Sequence, residues 1–162
     1  MSHVEKAVGA ISDDPKLLDC IEKALQEKFP KAKLNRNAKT WRWYGTWMND
    51  YSETNAAYKQ GFSPEDYGKC EHSISLENCG YDIGIVKNKN SKGYALLFDF
   101  YGTGQLLKSE FGDNCERLTD AINNEVMKTK ARRAGFMFTE KKLDNGATVL
   151  TINTGNQSTG GF

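Results

Sequence analysis

Apolar residues recur at helical spacing from Leu17 to Phe29, through Leu18, Ile21, Ala24 and Leu25, and this period predicts an amphipathic helix. Asp14-Pro15 supplies its start: a carboxylate placed to cap, then proline at the first helical position, where a missing N–H costs nothing. Pro30 ends it. Residues 31–39 read as a basic connector, and the aromatic segment that follows reads as the beginning of a strand. Residues 52–69 are polar and broken by Gly61, Pro64 and Gly68, which predicts a loop with one helical turn near 53–59.

Beyond residue 72 the pattern changes. Residues 73–76, 81–87 and 94–100 are β-rich, and the turn-forming run 88–93 predicts a hairpin between the last two. Gly102-Thr103-Gly104 breaks the sheet. Helical stretches follow at 105–111 and 114–134, the second turning Leu118, Ala121, Ile122 and Val126 inward and placing Gly135 to cap it. Residues 136–142 and 147–153 flank Asp144-Asn145-Gly146, and Asn-Gly is a strong hairpin signal. The order of helix, meander, helices and hairpin predicts an α+β domain, mainly antiparallel, with helices packed on one face. One domain over 1–153 and a flexible polar tail over 154–162 are expected.

Composition narrows the function more than it defines it. The 162 residues suit one domain with a sizeable core, and eighteen aromatic residues offset a mean hydropathy of −0.65. A net charge of +1 gives no global pull toward nucleic acid or acidic membranes, so electrostatic recognition must be local. No apolar run approaches the ~20 residues of a membrane span. The first residues hold no long apolar stretch for secretion, so a cytoplasmic protein without a membrane partner is expected. Cys20, Cys70, Cys79 and Cys115 have no repeated short spacing and read as free thiols, with Cys20 and Cys115 as packing residues.

All three tryptophans fall within residues 40–51, directly after a run containing Lys28, Lys31, Lys33, Arg36 and Lys39 but no acid. Aromatic faces beside cations can stack on a base while Lys39 and Arg42 meet phosphate. The candidate ligand-binding set is therefore Lys39, Trp41, Arg42, Trp43, Tyr44 and Trp47. In an extended segment Trp41 and Trp43 share one face and Arg42 and Tyr44 the other. Core burial is the stronger reading for the tryptophans, while Arg42 and Tyr44 suit contact with a partner equally well. As surface residues, those two are expected to tolerate alanine without unfolding. Gly102, Gly104 and Gln105 stand between a strand and a helix, where phosphate-cradling turns occur. The third glycine and the lysine of a nucleotide loop are missing, so a tight turn explains them better. The basic run 128–133 ends the long helix, where positive charge complements the dipole.

Cys70, His72 and Cys79 form the one arrangement with metal-like chemistry, and Cys115 could serve only as a distant fourth ligand. Paired Cys-x-x-Cys spacing is absent, so neither a metal nor another cofactor is expected. Two residues apart, Cys70 and His72 would share a strand face, yet no orienting group or oxyanion hole accompanies them.

Several short motifs together resemble domain-of-unknown-function family 1257, which includes plastid and cyanobacterial open-reading-frame thirty-five proteins. They are Met1-Ser2-His3, Tyr81-Asp82-Ile83-Gly84, the strand over 94–99, Arg133-Ala134-Gly135-Phe136 and the Asp144-Asn145-Gly146 turn. Residues 41–70 depart from the shorter plastid form and look like an elaboration of bacterial or viral relatives. The resemblance implies a fold, and neither a reaction nor site residues. Two classes remain. One is a non-catalytic binding protein for a protein partner or a small anionic ligand such as a nucleotide; a viral inhibitor, a ligand sponge and a cellular adaptor all belong here. The other is a thiol enzyme or redox accessory using Cys70 and His72. The first is preferred, because recognition chemistry is present and no complete catalytic set is. Nucleic acid is the weaker partner for such a surface.

Overall fold

β-Rich segments whose apolar residues run continuously rather than alternately must be covered on both faces. The computed structural model describes residues 4–7, 9–43, 68–89, 91–144 and 147–153, and it shows how that covering is achieved. The elements are β1 (Glu5–Lys6), α1 (Leu17–Lys28), β2 (Ala32–Asn35), β3 (His72–Leu76), β4 (Asp82–Lys87), β5 (Tyr94–Phe98), α2 (Gln105–Phe111), α3 (Glu116–Arg133), β6 (Met137–Lys142) and β7 (Thr148–Asn153). Strands β1 to β5 form one antiparallel sheet in the order β1-β5-β4-β3-β2. The fold is α+β. Among the described residues no helix is long and apolar enough to cross a membrane.

Three helices cover one face of the sheet. Ile74, Ile83, Ile85, Leu96 and Phe98 meet Ile21 and Leu25 of α1, Leu107 and Phe111 of α2, and Leu118, Ile122 and Val126 of α3 in a single buried cluster. Phe29, just past α1, meets Phe111 edge to face at 5.1 Å between centroids. The opposite face is covered by a loop. There Trp41 and Trp43 pack with Val4, Val86, Ala95 and Leu97 in a second cluster. Gly84 permits this: a Cβ built on it would stand 2.6 Å from Trp41 Cδ1. The indole therefore lies where any side chain at position 84 would be.

α1 starts two residues later than expected, at Leu17 with Lys16 as its cap, and Pro15 lies in the turn before it. Asp14 Oδ1 accepts the Lys16 N–H at 2.9 Å and the Asp14 carbonyl accepts Leu17 N–H, so the capping carboxylate acts before α1. α3 closes in a Schellman motif. Gly135, at φ +77°, donates to the Arg132 carbonyl, and Phe136 N–H reaches Ala131. The start of α3 is later than expected because Cys115 sits in the left-handed region at φ +55°.

One expectation needs correction, and two features were not anticipated. The supposed basic connector contains β2, an edge strand paired with β3 over four positions, with Leu34 its one buried residue. Alternating lysines at 31 and 33 disguised it as a charge run, yet lysine is what an exposed edge tolerates. β1 was not anticipated at all: it is two residues long, flanked by buried Val4 and Ala7. The basic end of α3 has Lys130, Arg132 and Arg133 in its last turn, as the dipole reading expects, and its cations are in addition tied to neighbouring elements. Lys128 is buried, bonding Glu125 at 2.6 Å and Glu140 of β6 at 2.8 Å, Arg132 lies 5.0 Å over the Phe138 ring, and Arg133 forks onto Asp14 at 3.0 and 3.1 Å.

β6 and β7 pair antiparallel from Met137↔Asn153 to Lys142↔Thr148, as a two-stranded sheet of their own. A lone ribbon of this kind needs packing support. Lys128 and Arg132 of α3 supply it, through Glu140 and Phe138 of β6. Asn145 and Gly146 of the turn, residues 52–67 of the loop expected over 52–69 with its helical turn, and the tail after Asn153 lie outside the described residues.

Candidate functional site

Trp41 and Trp43 are each 2% exposed, with ring centroids 6.1 Å apart. Neither offers a face to a ligand. Their segment is extended without belonging to a named strand: Trp41 N–H donates to the Gly68 carbonyl, Cys70 N–H to Lys39, and Asp82 N–H to Arg42, each at 2.9 Å. Alternation holds, with the indoles inward and Arg42 on the other side. Tyr44 and Trp47 lie outside the described residues.

Arg42 is half exposed but its guanidinium is engaged. Nε donates to Asp82 Oδ2 at 3.0 Å and Nη2 to Oδ1 at 2.8 Å, while the backbone N–H reaches Oδ2 at 2.9 Å. Nη2 also reaches the Cys79 carbonyl at 3.3 Å. The carboxylate is 8% exposed against 44% for the guanidinium. This fork raises the Arg42 pKa, burial opposing it. Asp82 and Arg42 thus compensate each other, and little net charge is left to draw in a phosphate.

The same corner receives the glycine turn, which the sequence presented as a separate candidate. Cys79 Sγ donates to the Thr103 carbonyl at 3.3 Å, and Gly80 lies against Thr103. Residues 102–104 form a 3-10 turn. A Cβ on Gly104 would stand 2.0 Å from the Asp99 carbonyl oxygen, so only glycine lets the chain pass there. Several of the turn's donors are used internally: Gly104 N–H bonds Tyr101, Gln105 N–H bonds Gly102 and Thr103, and the Gln105 side chain donates to the Phe100 carbonyl at 2.7 Å. It is a tight turn. Tyr101 and Leu106, on either side of it, are 46% and 44% exposed.

The thiol set is dispersed. β3 begins at His72, so Cys70 stands outside the strand and packs against the tryptophan cluster instead of sharing a strand face with the histidine. Burial pushes the Cys70 thiol up to about 12, with Glu71 and Asp82 adding to the shift, and burial also raises Cys79 and Cys115. Such thiols are not nucleophiles at neutral pH. His72 is held neutral chiefly by burial, and its Nδ1 accepts the Asn37 N–H at 2.9 Å. Among the described residues no group of three or more His, Cys, Asp or Glu side chains could hold a metal ion.

Sequence reasoning missed two clefts. One, of about 780 Å³, opens between the C-terminal ends of α1 and α2, the first half of α3 and the β6–β7 hairpin. The other, of about 380 Å³, lies where Lys69 and the β4 end approach each other. Lys39, exposed and in the left-handed region at φ +71°, neighbours the second through its carbonyl bond to Cys70. The lysines of that cleft are scattered in sequence, so no charge run announced them. Comparison with models of protein families, with curated proteins and with solved structures finds no match.

Proposed function

We propose that the chain is a non-catalytic binding protein that docks a protein partner at the corner formed by Arg42, residues 79–82 and the 101–106 turn. The observation that carries this is the Arg42–Asp82 fork, linked through Cys79 to the 102–104 turn, whose flanking residues Tyr101 and Leu106 are exposed. A compensated ion pair holds little attraction for a free phosphate, which disfavours a nucleotide here. It suits a protein surface, because a guanidinium 44% exposed can still meet a carbonyl or carboxylate at the rim. Aromatic, leucine and arginine side chains around one point form the kind of patch that anchors protein interfaces. A thiol enzyme is not supported: Cys70 packs against the tryptophan cluster rather than beside His72 on a strand face, and its half-buried thiol remains protonated. An inhibitor, a ligand sponge or an adaptor would each use such a surface.

The test is a photoactivatable phenylalanine analogue placed at Leu106 and, as a control, at Met137, which is 76% exposed on the hairpin. In the native cell, a discrete protein adduct from position 106 alone is expected. Adducts from position 137 alone, or the same set from both positions, would contradict the assignment.

A further inference from the structure

Between the end of β2 and Trp41 the chain turns over the edge of the sheet to reach the face that the tryptophans cover. Two residues of this connection, Asn37 at φ +57° and Lys39 at φ +71°, occupy the left-handed region. Asparagine tolerates that region better than lysine, and such strain persists only where surrounding contacts impose it. At the turn itself, residues 36 and 37, the backbone contact is Asn37 N–H donating to His72 Nδ1 at 2.9 Å. Further on, Cys70 N–H bonds the Lys39 carbonyl and Trp41 N–H bonds that of Gly68, each at 2.9 Å.

An imidazole that accepts at Nδ1 carries its proton on Nε2, so the Asn37 contact exists only for the neutral ring. A proton added at Nδ1 turns the acceptor into a donor and sets two N–H groups against each other. His72 is 8% exposed at the first position of β3, where little water is present to separate them. Its charged neighbours are few. Glu71, next in the chain, favours the cation, while Arg36 opposes it. Arg36 is itself compensated by Asp19 and Glu22 of α1, and β4 presents Ile85 opposite His72. Burial is the largest influence and lowers the His72 pKa from its ordinary 6.5.

We propose that His72 is an acid-sensitive latch, which holds the 36–37 turn to β3 as a neutral acceptor and releases it on protonation. Because the unfolded chain takes up this proton more readily, acid costs the folded chain stability from about pH 6.5 downward. The latch opens as pH falls through the lower, folded value. The bonds at Lys39 and Trp41 do not involve the ring, so release is confined to residues 36–38 and the tryptophans stay in place. The latch shares no residue with the partner-docking corner. The test follows imidazole and backbone amide shifts of isotope-labelled protein from about pH 8 to about pH 4.5, with amide exchange measured near both ends. The His72 ring and the Asn37 amide are expected to titrate together, with a midpoint below 6.5. Protection of the Asn37 amide, corrected for intrinsic exchange, is expected to fall at least about tenfold in acid while the Trp41 and Cys70 amides keep theirs. His72→Gln offers a carbonyl that accepts but does not titrate, and is expected to keep Asn37 protected throughout. A His72 midpoint at or above 6.5, an Asn37 amide that does not follow the ring, or an equal acid loss in His72→Gln would overturn the latch. Parallel loss at Trp41 and Cys70 would show general unfolding and overturn it as well. The wild-type titration decides alone should the glutamine variant fail to fold.

Discussion

Arg42→Ala is the substitution on which the sequence and the structure disagree most. As a surface residue it would tolerate alanine; as the partner of a buried carboxylate it cannot. The change removes three side-chain contacts, two to Asp82 and one to the Cys79 carbonyl, and among the described residues leaves Asp82 the backbone N–H of residue 42. Truncating one partner of a fully buried pair costs about 3–5 kcal/mol. Arg42 is 44% exposed, so water enters the vacated space and screens what remains; the expected loss falls to roughly 2–3 kcal/mol. Arg42→Lys preserves charge but not the fork, and about half the loss is expected. Urea unfolding followed by tryptophan fluorescence suits the assay, because Trp41 and Trp43 flank the substituted residue. A cycle with Asp82→Asn isolates the pair, and a coupling of about 1–2 kcal/mol is expected. An Arg42→Ala loss below ~0.5 kcal/mol, within the range of an ordinary surface change, would refute the reasoning.

Lys128→Met should destabilise by about 3 kcal/mol, since Glu125 is then buried with only Lys23 at 3.6 Å, and adding Glu125→Leu should recover most of it on chemical unfolding. The Asp14 pKa is lowered, first by the Arg133 hydrogen bond, so its contribution is present above the unfolded value near 3.8 and is lost as pH falls through the folded value. Stability of the wild type should therefore drop more steeply below about pH 4 than that of Asp14→Asn; parallel acid curves would exclude the link. Alkylation of native Cys70 should be slow at pH 7.5 and still rising at pH 10, as a thiol pushed up to about 12 requires; a plateau near pH 9 would contradict its burial.

Elements whose period and punctuation agreed were legible in the sequence. α1 between Pro15 and Pro30, the meander, and the hairpin over 137–153 follow from spacing and turn residues alone. β2 escaped because four residues with one lysine inside and another just before them carry more charge signal than alternation signal. β1 escaped because two residues have no period at all; pairing with β5 makes it a strand. The candidate site divided differently. That Trp41 and Trp43 share a face was legible, but its covering by the sheet depends on Gly84, more than forty residues away. Nothing local to Arg42 reveals that Asp82 is its partner. Likewise Lys69, Lys87 and Lys89 converge only because β3 and β4 pair antiparallel, bringing Glu71 to the backbone of Lys87.

The docking corner is tested most directly by titrating the partner identified through position 106 with wild type and with Tyr101→Ser/Leu106→Ser, recording the thermal midpoint of each protein. Both residues are largely exposed, so the midpoint should hold within about 2 °C. Affinity should fall by about 2–4 kcal/mol, on the order of thirtyfold or more, as expected when interface anchors are removed. Unchanged affinity in a folded double variant would contradict the corner as the binding surface.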